Sequence, residues 1–485
     1  MTSRRLGAAA SSAALLGLLI AQGAQPAFAS SGDHGKHGDH GNHGNPGRPH
    51  YSAGAASVGD PYFPDAGNGG YDVKHYDIAF TYDPATRIMD ATTTITAVAT
   101  QGLNRFDLDF RGPEISSLTV DGHRSAFERS GQELVVTPRH DLAKGRHFTV
   151  VVKYKGTPPV VTDPDDSIEG WVPTDDGVFV PGEPQGSPAW FPGNDHPTDK
   201  ATFTFHATVP EGVTAVGNGR LESQKTKKGW TTFVWDSREP MATYLSTVTI
   251  GNFTVTKSKT PSGLPIYTAV DPRLVTQSAA AVAQIPDIVE YFSSIFGPYP
   301  FNTAGAIIDR APDVGYALES QTKPIFSSAP GVGTMAHELA HQWFGDSVSL
   351  SRWSDIWLNE GFATYSQWMY TEHTGGATVD QTFNSTSNYG RAATSSFWQT
   401  VTTDPGPVDM FGNVPYNRGA MTLHALRGKI GDDAFFKLVK KWAASNRYGN
   451  TSTAEFIRTA EKVSGMDLTN FFDVWLFQKG KPTTW

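Results

Sequence analysis

The chain has 485 residues, no cysteine and a formal net charge of −9. That length exceeds what one compact core sustains and predicts two folded domains. The missing thiols exclude disulfides, thiolate metal sites and cysteine nucleophiles, and the acidic balance without any Lys/Arg cluster excludes nucleic acid as a partner.

At the N-terminus Arg4 and Arg5 precede the apolar run LGAAASSAALLGLLIAQGAQPAFA, which closes on the small-residue pattern Ala27-Phe28-Ala29. This predicts a secretory signal over 1–29, cut after Ala29, and therefore an extracellular protein. A membrane anchor fits less well, because the apolar centre AALLGLLIA is shorter than the roughly 20 residues a bilayer requires and no second apolar span follows. The paired arginines suit a twin-arginine signal, but Gly7 and Ala8 stand where bulky apolar residues usually sit, so the export route stays open. Residues 30–60 are rich in Gly and His, including His34, His37, His40, His43 and His50. Too few apolar groups are there to bury, so a disordered tether is expected, either simply solvated or loosely metal-binding.

From about Tyr71 to Lys257 short stretches alternate apolar and polar residues, as in YDVKHYDIAFTY, RIMDATTTITAVAT, HFTVVVKYKG and KATFTFHATV. Period two, broken by Gly, Pro and Asp, predicts an all-β domain over 61–258 of antiparallel sheets packed face to face. The period then lengthens. LVTQSAAAVAQIPDIVEYFSSIFGPYPF carries apolar groups at helical spacing and is stopped by Gly297, Pro298 and Pro300. Short strands are expected in TAGAIID and YALESQTKPIFS, then helices over 334–345, 355–373, 416–430, 432–445, 453–464 and 468–479. A mainly helical second domain over 259–485 follows, and no internal repeat is present.

That domain contains TMAHELAHQWFGDSVSLSRWSDIWLNEGFATY, residues 334–365. Since a helix turns about 100° per residue, His337 and His341 lie within about 40° of each other, one turn apart, and aim at a common point. A catalytic zinc needs a third protein ligand and an open position, and Glu360, on a following helix, is the candidate. Glu338 sits beside the first ligand, where a carboxylate can take a proton from an activated water and return it to the leaving nitrogen. The bare H-E-x-x-H arises by chance in some sequences, and a buried pair of structural histidines is the competing reading; a structural zinc is disfavoured for want of Cys.

With these residues in view, HELAHQWFGD followed by WSDIWLNEGFATY resembles the aminopeptidase N family of zinc metallopeptidases (gluzincins), which also includes bifunctional epoxide hydrolases. AWFPGNDHPTDKATF (189–203), IFGPYPF (295–301) and VPYNRGA (414–420) resemble further stretches of that family, so the likeness runs from about residue 70 onward. It implies an N-terminal β-sandwich or saddle domain, a thermolysin-like catalytic domain and an active site in the cleft between them. The chain ends soon after the catalytic helices, so the C-terminal helical domain of larger members is expected to be absent.

The resemblance places one Zn2+ on His337, His341 and Glu360 and the general base on Glu338. It gives Tyr416 the task of donating to an oxyanion, where losing one fixed donor costs about 10²-fold or more. A free α-amine is expected to be held by Glu319, in YALES where the family has G-A-M-E-N, and by Glu183, with Gln185 as the other candidate. Tyr316 standing for the family's glycine puts the local backbone shape in question. Trp343, Trp353, Trp357 and Phe362 are expected in the core. Asp355 and Asn359 are expected either to orient ligands or to act as ordinary capping and surface residues, and His196 has no evident role. The expected function is a secreted aminopeptidase acting on peptides with a free N-terminus. An endopeptidase, an epoxide hydrolase and a non-catalytic peptide-binding module are the alternatives.

Overall fold

The computed structural model describes residues 50–485. The expected signal over 1–29 and most of the tether lie outside the described residues, among which no helix is long and apolar enough to cross a membrane. The tether was expected to reach residue 60. Instead Ser52–Ala53 forms a strand parallel to Leu103–Asp109, so chain order begins earlier. Asp60 reinforces this, accepting from the backbone N–H of Trp353 at 2.9 Å and lying 3.4 Å from Nε2 of buried His196, which gives that histidine a structural place.

Alternation decides the first domain. In Tyr71–Asp83 the side chains of Val73, Tyr76, Ile78, Phe80 and Tyr82 are buried, and a register shift between Val73 and His75 keeps both sides of the bulge facing inward. This strand lies in an eight-stranded sheet ordered 220–227, 230–242, 200–210, 71–83, 88–99, 147–156, 114–120 and 123–124. A four-stranded sheet containing Leu103–Asp109 covers one face, where Phe106 meets Phe148 at 5.4 Å and Tyr71 at 5.7 Å. The sheets are not wholly antiparallel as expected. Lys200–Pro210 runs parallel to Tyr71–Asp83, because more than a hundred residues of chain separate the two and a hairpin does not set their direction.

The second domain opens on a five-stranded mixed sheet ordered 254–259, 265–270, 304–308, 325–326 and 317–318. The expected boundary at 258/259 therefore falls inside its first strand, Thr254–Lys259. Helix α1 (Val275–Phe296) crosses this sheet, then α2 (Val332–Ala340) and α3 (Trp357–His373) follow. Three short or medium helices come next, α4 (Val379–Phe383), α5 (Gly419–Ile430) and α6 (Asp432–Ser445), before α7 (Thr453–Ser464) and the single turn α8 (Thr469–Phe472). The expected aromatic core is present: Trp343 packs on Phe292 and Phe296, and Phe362 stacks on Phe344 at 4.4 Å.

The domains are joined by buried polar ties. Lys200 Nζ donates to the carbonyls of Asp346 (2.8 Å), Ser347 (3.1 Å) and Gly449 (3.3 Å), and Asn218 Nδ2 donates to Gln321 O at 2.8 Å. Each tie satisfies groups that would otherwise be orphaned at the interface. Together they hold the loop after the edge strand Ala317–Leu318 and the turn that follows α2 against the β domain.

Candidate active site

Helix α2 is shorter than the spacing predicts and stops at Ala340. His341 is its C-cap, still with helical φ −56° and ψ −24°, so the one-turn relation to His337 survives. The chain then turns sharply through Gly345 (φ 133°), where a left-handed residue without Cβ is needed. This turn brings Phe344 O within 3.0 Å of His341 Nδ1. With that nitrogen donating, Nε2 keeps a free lone pair.

Glu360 lies in the first turn of α3, where the helix dipole favours an acid. Its Oε2 is 3.0 Å from His337 Nε2 and 3.4 Å from His341 Nε2. Two imidazole nitrogens and one carboxylate oxygen thus converge, all buried and within 4.8 Å of one another. A second grouping of Glu319, Glu338 and His341 meets the same criterion. Four carboxyl groups, Glu183, Glu319, Glu338 and Glu360, line one cavity of about 480 Å³ together with Tyr416, large enough for a few residues of a peptide.

The electrostatics of this cavity call for a cation. Burial pushes the Glu183 and Glu338 carboxyls well above the usual range, and burial together with Glu360 raises Glu319. Glu360 is also buried, but His341 and His337 outweigh that and hold it down to about 2. Glu183 Oε1 has no hydrogen-bond partner at all. The nitrogen–nitrogen–oxygen donor set, free of thiolates and surrounded by surplus buried acid, fits a catalytic zinc.

Tyr416 stands on a π-helical turn, Val414–Arg418, just before α5. Its ring is parallel to that of His337, 5.7 Å between centroids and 8° apart. Burial, then Glu360, keeps its phenol well above the ordinary value, so it is a hydrogen-bond donor at neutral pH. Its helix is set against α3 by two glycines: a Cβ on Gly361 would lie 2.8 Å from Gly419 Cα. Glu360 and Tyr416 are therefore placed by one close backbone crossing.

Of the two candidate amine-binding residues from the β domain, Glu183 faces the cavity and Gln185 does not. Gln185 turns away to bond Asp163 Oδ1 at 2.9 Å and accept from Arg111 at 2.6 Å. Glu319 follows the edge strand, and its position depends on residues the motif did not point to. Gln342, next to the second histidine, donates to Glu319 O at 3.0 Å and accepts from Thr322 N at 2.7 Å. Tyr244 donates to Glu319 Oε1 at 3.4 Å and accepts from Asn359 Nδ2 at 3.4 Å. Tyr316 causes no backbone difficulty: the left-handed position is Gly315 (φ 76°), and the Tyr316 hydroxyl donates to Ile168 O at 3.0 Å. Asp355 does not line the cavity and accepts from Thr453 Oγ1. Gln342 sits inside the quoted motif, beside His341, which is the one local signal that could have found it; Tyr244 and Thr322 reach the site only through the fold.

A β-rich domain ahead of a helical domain with a His-His-Glu grouping is an arrangement suited to a zinc metallopeptidase. The profile described as "Peptidase family M1 domain" matches residues 317–475, and "Peptidase M1 N-terminal domain" matches 72–245. The chain belongs to this family, that of aminopeptidase N. Among solved structures it is similar to an M1 zinc metallopeptidase of Deinococcus radiodurans, a Glu-to-Ala variant bound to a Tyr-Ser-Ala substrate, with TM-score 0.81 and 29% identity over 88% of this chain and 99% of that one. Aminopeptidase A of Gloydius brevicauda is 24% identical over 84% of this chain and 46% of its own length. Glutamyl aminopeptidase of Mus musculus is 26% identical over 62% of this chain and 34% of its own. The chain thus spans half or less of these two relatives.

Proposed function

We propose that the protein is an exported aminopeptidase that removes the first residue from peptides with a free N-terminus, using one zinc ion. The observation carrying this reading is the surplus of acid beside the His337, His341 and Glu360 grouping: Glu183 and Glu319 are both buried in the cavity, one of them with an unpaired oxygen. A cationic α-amine is the partner that satisfies them, and a substrate so anchored presents only its first peptide bond. The Deinococcus relative bound to a tripeptide supports a peptide as the substrate class.

Zinc on His337, His341 and Glu360 would supply Lewis acidity, polarising a carbonyl and making water a better nucleophile. The residues of the chain do the rest. Glu338 accepts the proton of the attacking water and returns it to the departing amine nitrogen. Tyr416 donates its phenolic hydrogen to the oxygen that gains charge as the carbonyl becomes tetrahedral. Glu183 and Glu319 fix the α-amine, and Tyr244 and Gln342 keep Glu319 in place.

Purified protein should hydrolyse aminoacyl p-nitroanilides, lose activity to a chelator and regain it with zinc, while N-acetylated substrates should be poor. Equal cleavage of blocked and free peptides would replace this reading by an endopeptidase. For export, the mature N-terminus of secreted protein should begin at Ser30, after Ala29.

A further inference from the structure

We propose that the cavity rejects acidic side chains at the residues flanking the cleaved bond, so that the enzyme acts on peptides whose first two residues are neutral or basic. The proposal rests on the aminopeptidase reading above. Among the described residues that line the cavity there is no Lys or Arg, and there are four glutamates. Zinc answers Glu360 and the proton-handling Glu338, and an α-amine answers Glu183 and Glu319. No positive charge is left for a carboxylate brought in by the substrate.

Nor do the buried cations Arg418, Lys200 and Lys323 supply one, because each is committed to backbone carbonyls. Arg418, one residue beyond the lining Asn417 and fully buried, donates to Trp475 O at 2.9 Å, Val474 O at 2.9 Å, Gln478 O at 2.8 Å and Thr400 O at 3.3 Å. Lys200 is held by three carbonyls of the catalytic domain, and buried Lys323 by Gly219 O. Releasing any of them would orphan those carbonyls. The remaining wall is uncharged, formed by Thr334, Thr364, Gln367, Trp368 and Phe411 among others. Hydroxyl and amide groups there accept a neutral polar side chain, the aromatic rings accept a flat or aliphatic one, and a cation sees only the acidic field. A carboxylate is stripped of water and set near Glu183 and Glu319, and that like-charge placement is a built-in rejection.

Glutamine and glutamate have the same shape, so their comparison isolates charge. At pH 7.5 kcat/KM for Gln-p-nitroanilide should exceed that for Glu-p-nitroanilide by about 100-fold or more, since like-charge juxtaposition costs several tenfold steps. Peptides Leu-Gln-Ala and Leu-Glu-Ala should separate in the same direction. In parallel, calorimetry on zinc-loaded protein should show L-glutamine α-amide binding and L-glutamic acid α-amide binding at least about tenfold more weakly. Glutamate ratios within about threefold of glutamine in turnover and binding would overturn the proposal. If no p-nitroanilide is cleaved but the two amides still differ, the discrimination stands and the aminopeptidase reading falls.

Discussion

In the proposed reaction Glu338 would take up a proton and Tyr416 would donate to an oxyanion, and each role predicts a distinct loss. Glu338→Gln keeps the shape but cannot take a proton, so kcat should fall by about 10³-fold while zinc content, measured by elemental analysis, stays at the wild-type level. Tyr416→Phe removes only a donor, and kcat should fall by about 10²-fold with KM for Leu-p-nitroanilide little changed. The one-turn relation of His337 and His341 was legible in the sequence because a helical period converts spacing directly into direction, and Glu360 was a candidate that the fold brings beside them. Glu319, Glu183 and Tyr416 were legible by resemblance alone. Tyr244 was not legible by either route, since its link to Glu319 spans 75 residues and is made by tertiary contact.

Between elements, the decisive feature is the crossing of α3 and α5 at Gly361 and Gly419. Any side chain there meets backbone, which cannot yield as a flexible tip can. Gly361→Ala should therefore lower unfolding stability by about 2 kcal/mol in urea titration, and activity should drop as Glu360 and Tyr416 are pushed apart. Sequence periodicity anticipated α1, α3 and α5 to α7 to within a few residues. It extended α2 beyond Ala340, because Trp343 and Phe344 continue the apolar pattern although Gly345 and the His341 Nδ1 hydrogen bond have already turned the chain. It did not anticipate α4, whose five residues are too few to show a period but which has a capping box between Thr378 and Gln381.

For the whole molecule, metal and pH act on the same folded state from different domains. Zinc that binds only the folded protein should stabilise it by about 4 kcal/mol at a concentration 1,000 times Kd, so chelation should lower Tm in calorimetry. The β domain has its own titrating cluster. Burial raises Asp109 to about 7, Asp195 to about 8 and Asp199 to about 7, in spite of donors such as the Asp195 N–H to Asp109 and the nearby Arg111. Unfolded, these groups titrate near 4. Between the two values the folded protein holds protons that the unfolded chain has released, so this cluster's contribution falls as pH rises from about 4 to about 8. At saturating zinc, Asp109→Asn should show a shallower decline of stability across that window than the wild type does.

The order of strand-rich and helix-rich halves and the one-turn pairing of His337 with His341 were determined by the sequence alone, because alternation and helical period are local properties of the chain. Only the tertiary structure decided that Glu183 and not Gln185 faces the cavity, that Lys200–Pro210 pairs in parallel with Tyr71–Asp83, and that buried Arg418, Lys200 and Lys323 are spent on carbonyls. These follow from which distant groups share a low-dielectric interior and must satisfy one another there, a condition that no stretch of neighbouring residues records.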